Sequence, residues 1–191
     1  MLKAKYPQTA LPICGFCYII ELVIFMENNL PKRKHPRLPH YDYSTTGAYF
    51  ITICTLNRRC LLSRIVGRGL APAKIQYTVY GQIAQEQLLL LEQRYPPLKI
   101  DQYVIMPNHI HAILLLEETA GDSQHPTIMD IVCAYKSLTT RQCKKAQPID
   151  RLFQTSFYEH VIRGREDYNE IAEYIVNNPK RWELDKLYSK E

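Results

Sequence analysis

Two apolar, β-prone runs, residues 100–106 and 109–116, meet at Pro107-Asn108. A joint that short suits an antiparallel hairpin, because a parallel return would need a crossover of a dozen residues or more. The second run reads HIHAILLL, so two imidazoles stand two residues apart among aliphatic side chains. Strand side chains alternate between faces, so His109 and His111 share one face and Ile110 takes the other.

The rest of the chain supplies what the hairpin packs against. The stretch GAYFITICTL (47–56) is β-branched and aromatic and reads as a buried strand. A loop with Gly67, Gly69 and Pro72 follows. Residues 79–93 (VYGQIAQEQLLLLEQ) carry apolar side chains at helical spacing and stop before YPPL. EETAGDSQHP (117–126) is a loop, 128–145 reads as a helix and FQTSFYEHVIR (153–163) as a strand. A last helix spans 166–177 and is closed by Pro179. A residue before proline is pushed from the helical region, which puts Asn178 at the helix end. The order strand, helix, strand, strand, helix, strand, helix is α+β, the ferredoxin-like split βαβ plan with an antiparallel sheet and an added C-terminal helix.

At 191 residues the chain suits one domain. We place it at 47–182, after a basic lead-in at 26–46 and before a tail at 183–191. Residues 1–25 read as an appended or non-native extension. Their apolar stretch from 11 to 25 is interrupted by Pro12 and Glu21, is too short to span a bilayer and lacks a small-residue cleavage site. Translation starting at Met26 is the favoured explanation, ahead of an appended helix or strand and of a signal peptide. The composition, 46% hydrophobic and 23% charged, excludes a disordered chain and points to a folded enzyme or binding module without a membrane span.

The six cysteines follow no disulfide framework, which suggests a reducing, cytoplasmic setting. The CGFC pair at Cys14 and Cys17 has no strand before it for a redox motif and no second pair for a zinc site. The net charge is only +5, but the basic residues are grouped: Lys32, Arg33, Lys34 and Arg37; Arg58, Arg59, Arg64 and Arg68; Arg141, Lys144 and Lys145. Such groups make local positive fields that attract a polyanion, although a solvated surface would show the same pattern.

Two imidazoles on one face of a buried strand must meet hydrogen-bond partners, an anion or a metal, since burying them unpaired is costly. As a metal patch they give two nitrogen ligands and leave positions open, as a catalytic ion requires. A pair of satisfied core or edge histidines is the alternative reading of the same spacing.

YVIMPNHIHAILLL (103–116), taken with FYEHVIRGREDYNEIAEYIVNNPKRW (157–182), resembles the single-tyrosine HUH transposases, in the branch of the REP-associated tyrosine transposases. The resemblance continues through RLPHYDYSTTGAYFITICT and IVCAYKSLTTR and covers about residues 31–182. It implies an HUH/RRM-like fold whose added helix carries the nucleophile. It also implies that His109 and His111 bind a divalent metal, Mg or Mn, that Tyr174 in YIVNNP is the nucleophile, and that Asn178 is the third ligand. Residues at i and i+4 share a helix face, so Tyr174 and Asn178 can reach one site together.

The implied activity is cleavage and rejoining of single-stranded or hairpin DNA through a 5′-phosphotyrosine, in a monomer or a homodimer. The implied location is the cytoplasm, at the nucleoid in a prokaryote. Lys32, Arg33, Lys34, Arg37, Lys136, Arg141, Arg163 and Arg165 are the candidate DNA contacts, with His160 and Glu170 also close to the motifs. Tyr135 in AYKSLTTR is the competing nucleophile. Two other functions stay open on the residues alone: a phosphoesterase that uses water at the same histidines, and a non-catalytic nucleic-acid-binding module.

Overall fold

The computed structural model describes residues 43–67, 74–118 and 126–189. The expectations for the extension at 1–25, for a start at Met26 and for Lys32, Arg33, Lys34 and Arg37 lie outside these residues. The elements are β1 (Gly47–Cys54), β2 (Ser63–Val66), β3 (Lys74–Tyr77), α1 (Val79–Arg94), β4 (Leu98–Ile105), β5 (His109–Leu116), α2 (Ile128–Ala146), β6 (Tyr158–Val161) and α3 (Gly164–Asn177). A 3-10 segment, Asn178–Leu184, follows α3 directly.

The main sheet runs β4-β5-β1-β6. Each neighbouring pair is antiparallel, so β1 and β4 run the same way with β5 inserted between them. This is the split βαβ plan expected above. The hairpin closes tightly at Pro107-Asn108, with Ile105 paired to Ile110, and β1 lies along the other side of β5, Thr52 opposite His111 and Cys54 opposite His109.

Alternation divides the sheet into two apolar faces. On one, Tyr49, Ile51, Ile53, Ile110, Ala112 and Leu114 pack against Ala84, Leu88 and Leu91 of α1 and Ile128, Ile131, Val132 and Tyr135 of α2. On the other, Phe50, Val104, Met106 and Ile113 pack beneath Ala172 and Ile175 of α3 and Trp182 of the 3-10 segment. His109 and His111, being odd-numbered like Ile113, lie on this second face. The fold therefore puts the imidazoles under the C-terminal helix and away from α1 and α2.

Helix α3 is held in place at three points. Gly164 starts it with φ of +90°, a value that suits glycine. The Asp167 carboxylate accepts from the Arg163 backbone N–H at 2.8 Å, which satisfies one free donor of the first turn. Tyr168 donates its hydroxyl to Asp101 at the edge of β4.

Three local expectations need correction. The segment read as a plain loop contains the hairpin of β2 and β3, whose strands of four residues are too short to show a period. The strand expected at 153–163 is in the sheet only at Tyr158–Val161, with an isolated bridge from Phe153 to Thr55. Between the two, the Thr155 carbonyl accepts from the Lys136 ammonium of α2 at 2.7 Å. Finally, Asn178 keeps helical dihedrals (φ −55°, ψ −44°) despite the proline after it. The chain tightens into a 3-10 helix in which Pro179 stands in the first turn, where no N–H is needed.

Gly81, near the start of α1, has no room for a side chain: a Cβ there would lie 1.9 Å from the Leu62 carbonyl oxygen. That carbonyl also accepts from the Thr78 backbone N–H and cannot move freely. Gly81→Ala is expected to destabilise the fold by about 3 kcal/mol, read from chemical denaturation. A change below about 1 kcal/mol would show that the two segments separate easily.

Candidate functional site

Three separate parts of the chain meet beside β5. The hairpin contributes His109 and His111, which are 0% and 2% exposed. Helix α3 contributes Tyr174, still 43% exposed, and its last turn ends at Asn178, 2% exposed. The stretch after the 3-10 segment contributes Asp185, at the position expected to be tail.

Tyr174 Oη donates to Asp185 Oδ2 at 2.9 Å and lies 3.3 Å from His111 Nε2. Its ring stands edge-on to His111 and to Phe50, at centroid separations of 5.1 and 6.4 Å. Asn178 Nδ2 donates to the same Asp185 oxygen at 2.6 Å. Tyr174, Asn178 and Asp185, with Glu170, Arg181 and Lys186, line a cleft of about 600 Å³.

Each histidine has a polar partner on the side away from this cluster. His111 Nδ1 meets Thr52 Oγ1 at 2.8 Å across the β1–β5 pair, and His109 Nδ1 meets Asn108 Oδ1 at 2.8 Å. Among the described residues, His109 Nε2 and Asn178 Oδ1 are buried without a hydrogen-bond partner. Leaving polar atoms buried and unsatisfied costs about 1–3 kcal/mol each. His109, His111 and Asp185 offer ligand atoms within 4.8 Å of one another. Two ring nitrogens and a carboxylate oxygen converging in one place, with the orphaned amide oxygen on the residue bonded to that carboxylate, make a donor set that fits a divalent cation.

Burial drives the titration of these groups. It lowers the His109 imidazole to about 4, with Arg58 adding to the fall and the Asp185 carboxylate opposing it. His111 is lowered well below the usual histidine range by burial and then by the neighbouring His109. Both rings are therefore neutral at pH 7, the form that binds metal. Burial also raises the Tyr174 hydroxyl, and Asp185 raises it further by holding the protonated form and repelling the phenolate.

A folded-state value of about 4 against an ordinary value near 6.5 means that the unfolded chain takes up the His109 proton first. The metal-free protein should lose stability as pH falls from about 6.5 toward 4. Melting temperatures in EDTA should show that loss, and His109→Gln should flatten it; an unchanged slope in the variant would contradict the assignment.

No family model matches the chain. An uncharacterized protein of Haemophilus influenzae is 35% identical over 172 residues, covering 82% of this chain and 93% of that protein. The REP-associated tyrosine transposase of Escherichia coli is 27% identical over 137 residues, covering 72% of this chain and 68% of that protein. A solved REP-associated tyrosine transposase bound to a REP hairpin superposes with a TM-score of 0.56 at 24% identity, over 78% of this chain and 77% of that one, a likeness of fold. The chain belongs to the RAYT-like transposase family.

Two of these three relatives are REP-associated tyrosine transposases by name. In this RAYT-like chain the remaining candidate residues, Glu170 excepted, lie away from the cluster. Tyr135 is 1% exposed on α2, across the sheet from the histidines, and donates to the Ala84 carbonyl at 3.0 Å; it is a core residue. Lys136 is on the same helix, with its ammonium over the Phe157 ring and bonded to the Thr155 carbonyl. Arg141 is exposed on that helix. Arg163 and Arg165 are exposed at the start of α3, about 14–16 Å along the helix axis from Tyr174. His160 pairs with Asp167 at 2.9 Å, and Glu170 is exposed on the cleft wall. No described helix is long and apolar enough to cross a membrane.

Sequence reasoning missed three residues of the cluster. Thr52 was detectable as the one hydroxyl inside the apolar FITIC, but its partner depends on strand order. Asn108 was noticed only as half of a turn. Asp185 follows an aperiodic stretch, so nothing local marks it.

Proposed function

We propose that the protein is a metal-dependent single-strand DNA endonuclease and strand transferase that works through a 5′-phosphotyrosine on Tyr174 and acts on hairpin-bearing DNA. The main support is the convergence of the Tyr174 hydroxyl, still open to the cleft, with His111 Nε2 and the Asp185 carboxylate. His109, His111 and Asn178 are the ligands in this reading, with Asp185 adding a carboxylate oxygen. The mixed nitrogen and oxygen set suits Mn or Mg and not a closed structural zinc site. When bound, the cation polarises a phosphoryl oxygen and draws off charge that builds up in the transition state.

The chain's own residues do the rest. A phenol is a poor nucleophile while protonated, and Tyr174 is held protonated. Asp185 Oδ2 already accepts that proton's hydrogen bond and is within reach to take it as the oxygen attacks. The Tyr174 O–P bond forms, the P–O3′ bond breaks, and the 3′ oxygen leaves as a free hydroxyl after taking up the proton that Asp185 received from Tyr174, or one from water. One phosphodiester has replaced another, so a different 3′-hydroxyl can reverse the step and be joined. His109, His111, Tyr174, Asn178 and Asp185 belong to one chain, so the reaction in this form needs no second copy. The relative solved with a REP hairpin supports hairpin DNA as the substrate class. The basic lead-in from Lys32 to Arg37, with Arg163 and Arg165, would add backbone affinity that weakens with salt.

Labelled single strands carrying a hairpin, incubated with Mn²⁺ or Mg²⁺, should yield a protein–DNA adduct that survives SDS and is absent in EDTA. An adduct that forms equally well in EDTA, or cleavage without any adduct, would overturn the proposal.

A further inference from the structure

We propose that Asn108 is a positioning residue: its side-chain amide fixes which ring nitrogen of His109 is bare and links that choice to the C-terminal segment. The inference rests on reading His109 as a metal ligand.

Asparagine in a tight turn usually supplies left-handed backbone. Among the described residues only Asn57 and Arg58 are non-glycine residues with positive φ, so Asn108 does not play that part. It is fully buried, and three of its bonds fix the direction of its amide. The two hydrogens of Nδ2 are shared among the Leu187 carbonyl at 2.8 Å, Ser189 Oγ at 3.0 Å and, more weakly at 3.3 Å, the Arg58 carbonyl. Carbonyl oxygens only accept, so the amide nitrogen must face them and Oδ1 must face the other way.

That other way is His109, whose Nδ1 is 2.8 Å from Oδ1. An amide oxygen also only accepts, so Nδ1 carries the hydrogen. In the neutral ring Nε2 is then a bare lone pair, and it is the ring atom buried without a partner, in a residue grouped with His111 and Asp185. His111 is under no such constraint, because Thr52 Oγ1 can donate or accept. Orientation of the pair thus depends on an acceptor specific to His109.

The other end of the amide reaches the segment that carries Asp185. Ser189 Oγ donates in turn to the Arg58 carbonyl at 2.8 Å, closing a small network over the left-handed turn at Asn57 and Arg58. Partners of this kind, one bond behind a metal ligand, typically change metal affinity by 10–100-fold when removed.

The test uses the metal-free, full-length protein labelled with ¹⁵N-histidine, in which long-range ¹H–¹⁵N spectra report which ring nitrogen carries hydrogen. The wild type should show His109 with Nδ1–H and bare Nε2. Asn108→Ala should shift the ring toward Nε2–H and weaken Mn²⁺ binding, measured by calorimetry, by about 10–100-fold. Asn108→Asp keeps an oxygen that only accepts, so it should retain the Nδ1–H tautomer while losing the bonds to the Leu187 and Arg58 carbonyls. An Nε2–H signal in the wild type, or an Asn108→Ala protein with wild-type tautomer and Mn²⁺ affinity, would overturn the inference. If Asn108→Ala does not fold, Asn108→Asp decides: an Nε2–H tautomer there refutes the role. A tautomer that responds as expected in a protein that binds no Mn²⁺ would leave Asn108 as a positioning residue and remove the metal reading instead.

Discussion

A Tyr174→Phe protein should form no SDS-resistant adduct with hairpin-bearing single strands, and its cleavage rate should fall by on the order of 10⁴-fold or more, the scale seen when a nucleophile is removed. The substitution deletes one oxygen and leaves the ring against Phe50 and His111. It also removes the hydrogen bond to Asp185 and the longer contact to His111 from a residue 43% exposed, so stability should change by about 1 kcal/mol. Metal and DNA binding should persist, which separates loss of chemistry from loss of fold. Tyr135→Phe is the matched control: its hydroxyl is buried against the Ala84 carbonyl, so adduct formation should be unchanged. Cleavage that survives Tyr174→Phe would favour water as the nucleophile and a phosphoesterase at the same histidines.

His109→Ala should have the second large effect, through the cation. Removing a buried nitrogen donor breaks up the donor set, and the lost Lewis-acid stabilisation, several kcal/mol in comparable sites, corresponds to a rate fall of roughly 10³-fold or more. A readout independent of catalysis is thermal stability. If the cation binds only the folded chain, Mn²⁺ at about 100 times its dissociation constant should stabilise the wild type by about 2.7 kcal/mol. His109→Ala should show little of that rise. In EDTA the variant should be less stable than the wild type, since the deletion empties a fully buried site and leaves Asn108 Oδ1 without its partner, so the readout is the Mn²⁺-induced rise within each protein. An equal Mn²⁺ response in both proteins would place the cation elsewhere and leave the buried Nε2 unexplained.

The two predictions depend on the same contacts in opposite ways. Asp185 disfavours the Tyr174 phenolate in the metal-free protein, because a second negative charge next to a carboxylate is unfavourable. A bound divalent charge reverses the local sign and favours loss of the same proton. The pH dependence of the adduct rate should therefore differ between Mn²⁺ and Mg²⁺ if the cation lies where His109, His111 and Asp185 converge.

Much of the site was legible along the chain because its halves obey local periods. His109 and His111 share a face because side chains on a strand alternate, whatever the strand packs against. Tyr174 and Asn178 share a face because four residues are close to one helical turn. The order of elements was sufficient for the split βαβ plan, and the two-residue joint for the antiparallel hairpin. Short or irregular stretches were not legible: the strands of β2 and β3 are too brief to show alternation, and Pro179 slowed the helix to a 3-10 turn without ending it.

What only the tertiary structure decided is where those faces meet. Thr52 orients His111 because β1 is the strand beside β5, a pairing set by long-range register and not by anything near either residue. Asp185 reaches Tyr174 and Asn178 because the chain turns back after the 3-10 segment, and a carboxylate in an aperiodic stretch carries no mark of its destination. Asn108 looked like a turn residue, and its backbone would have served with other side chains. Its buried amide is satisfied on both ends only once the C-terminal segment is in place, and that packing is what leaves one nitrogen of His109 bare.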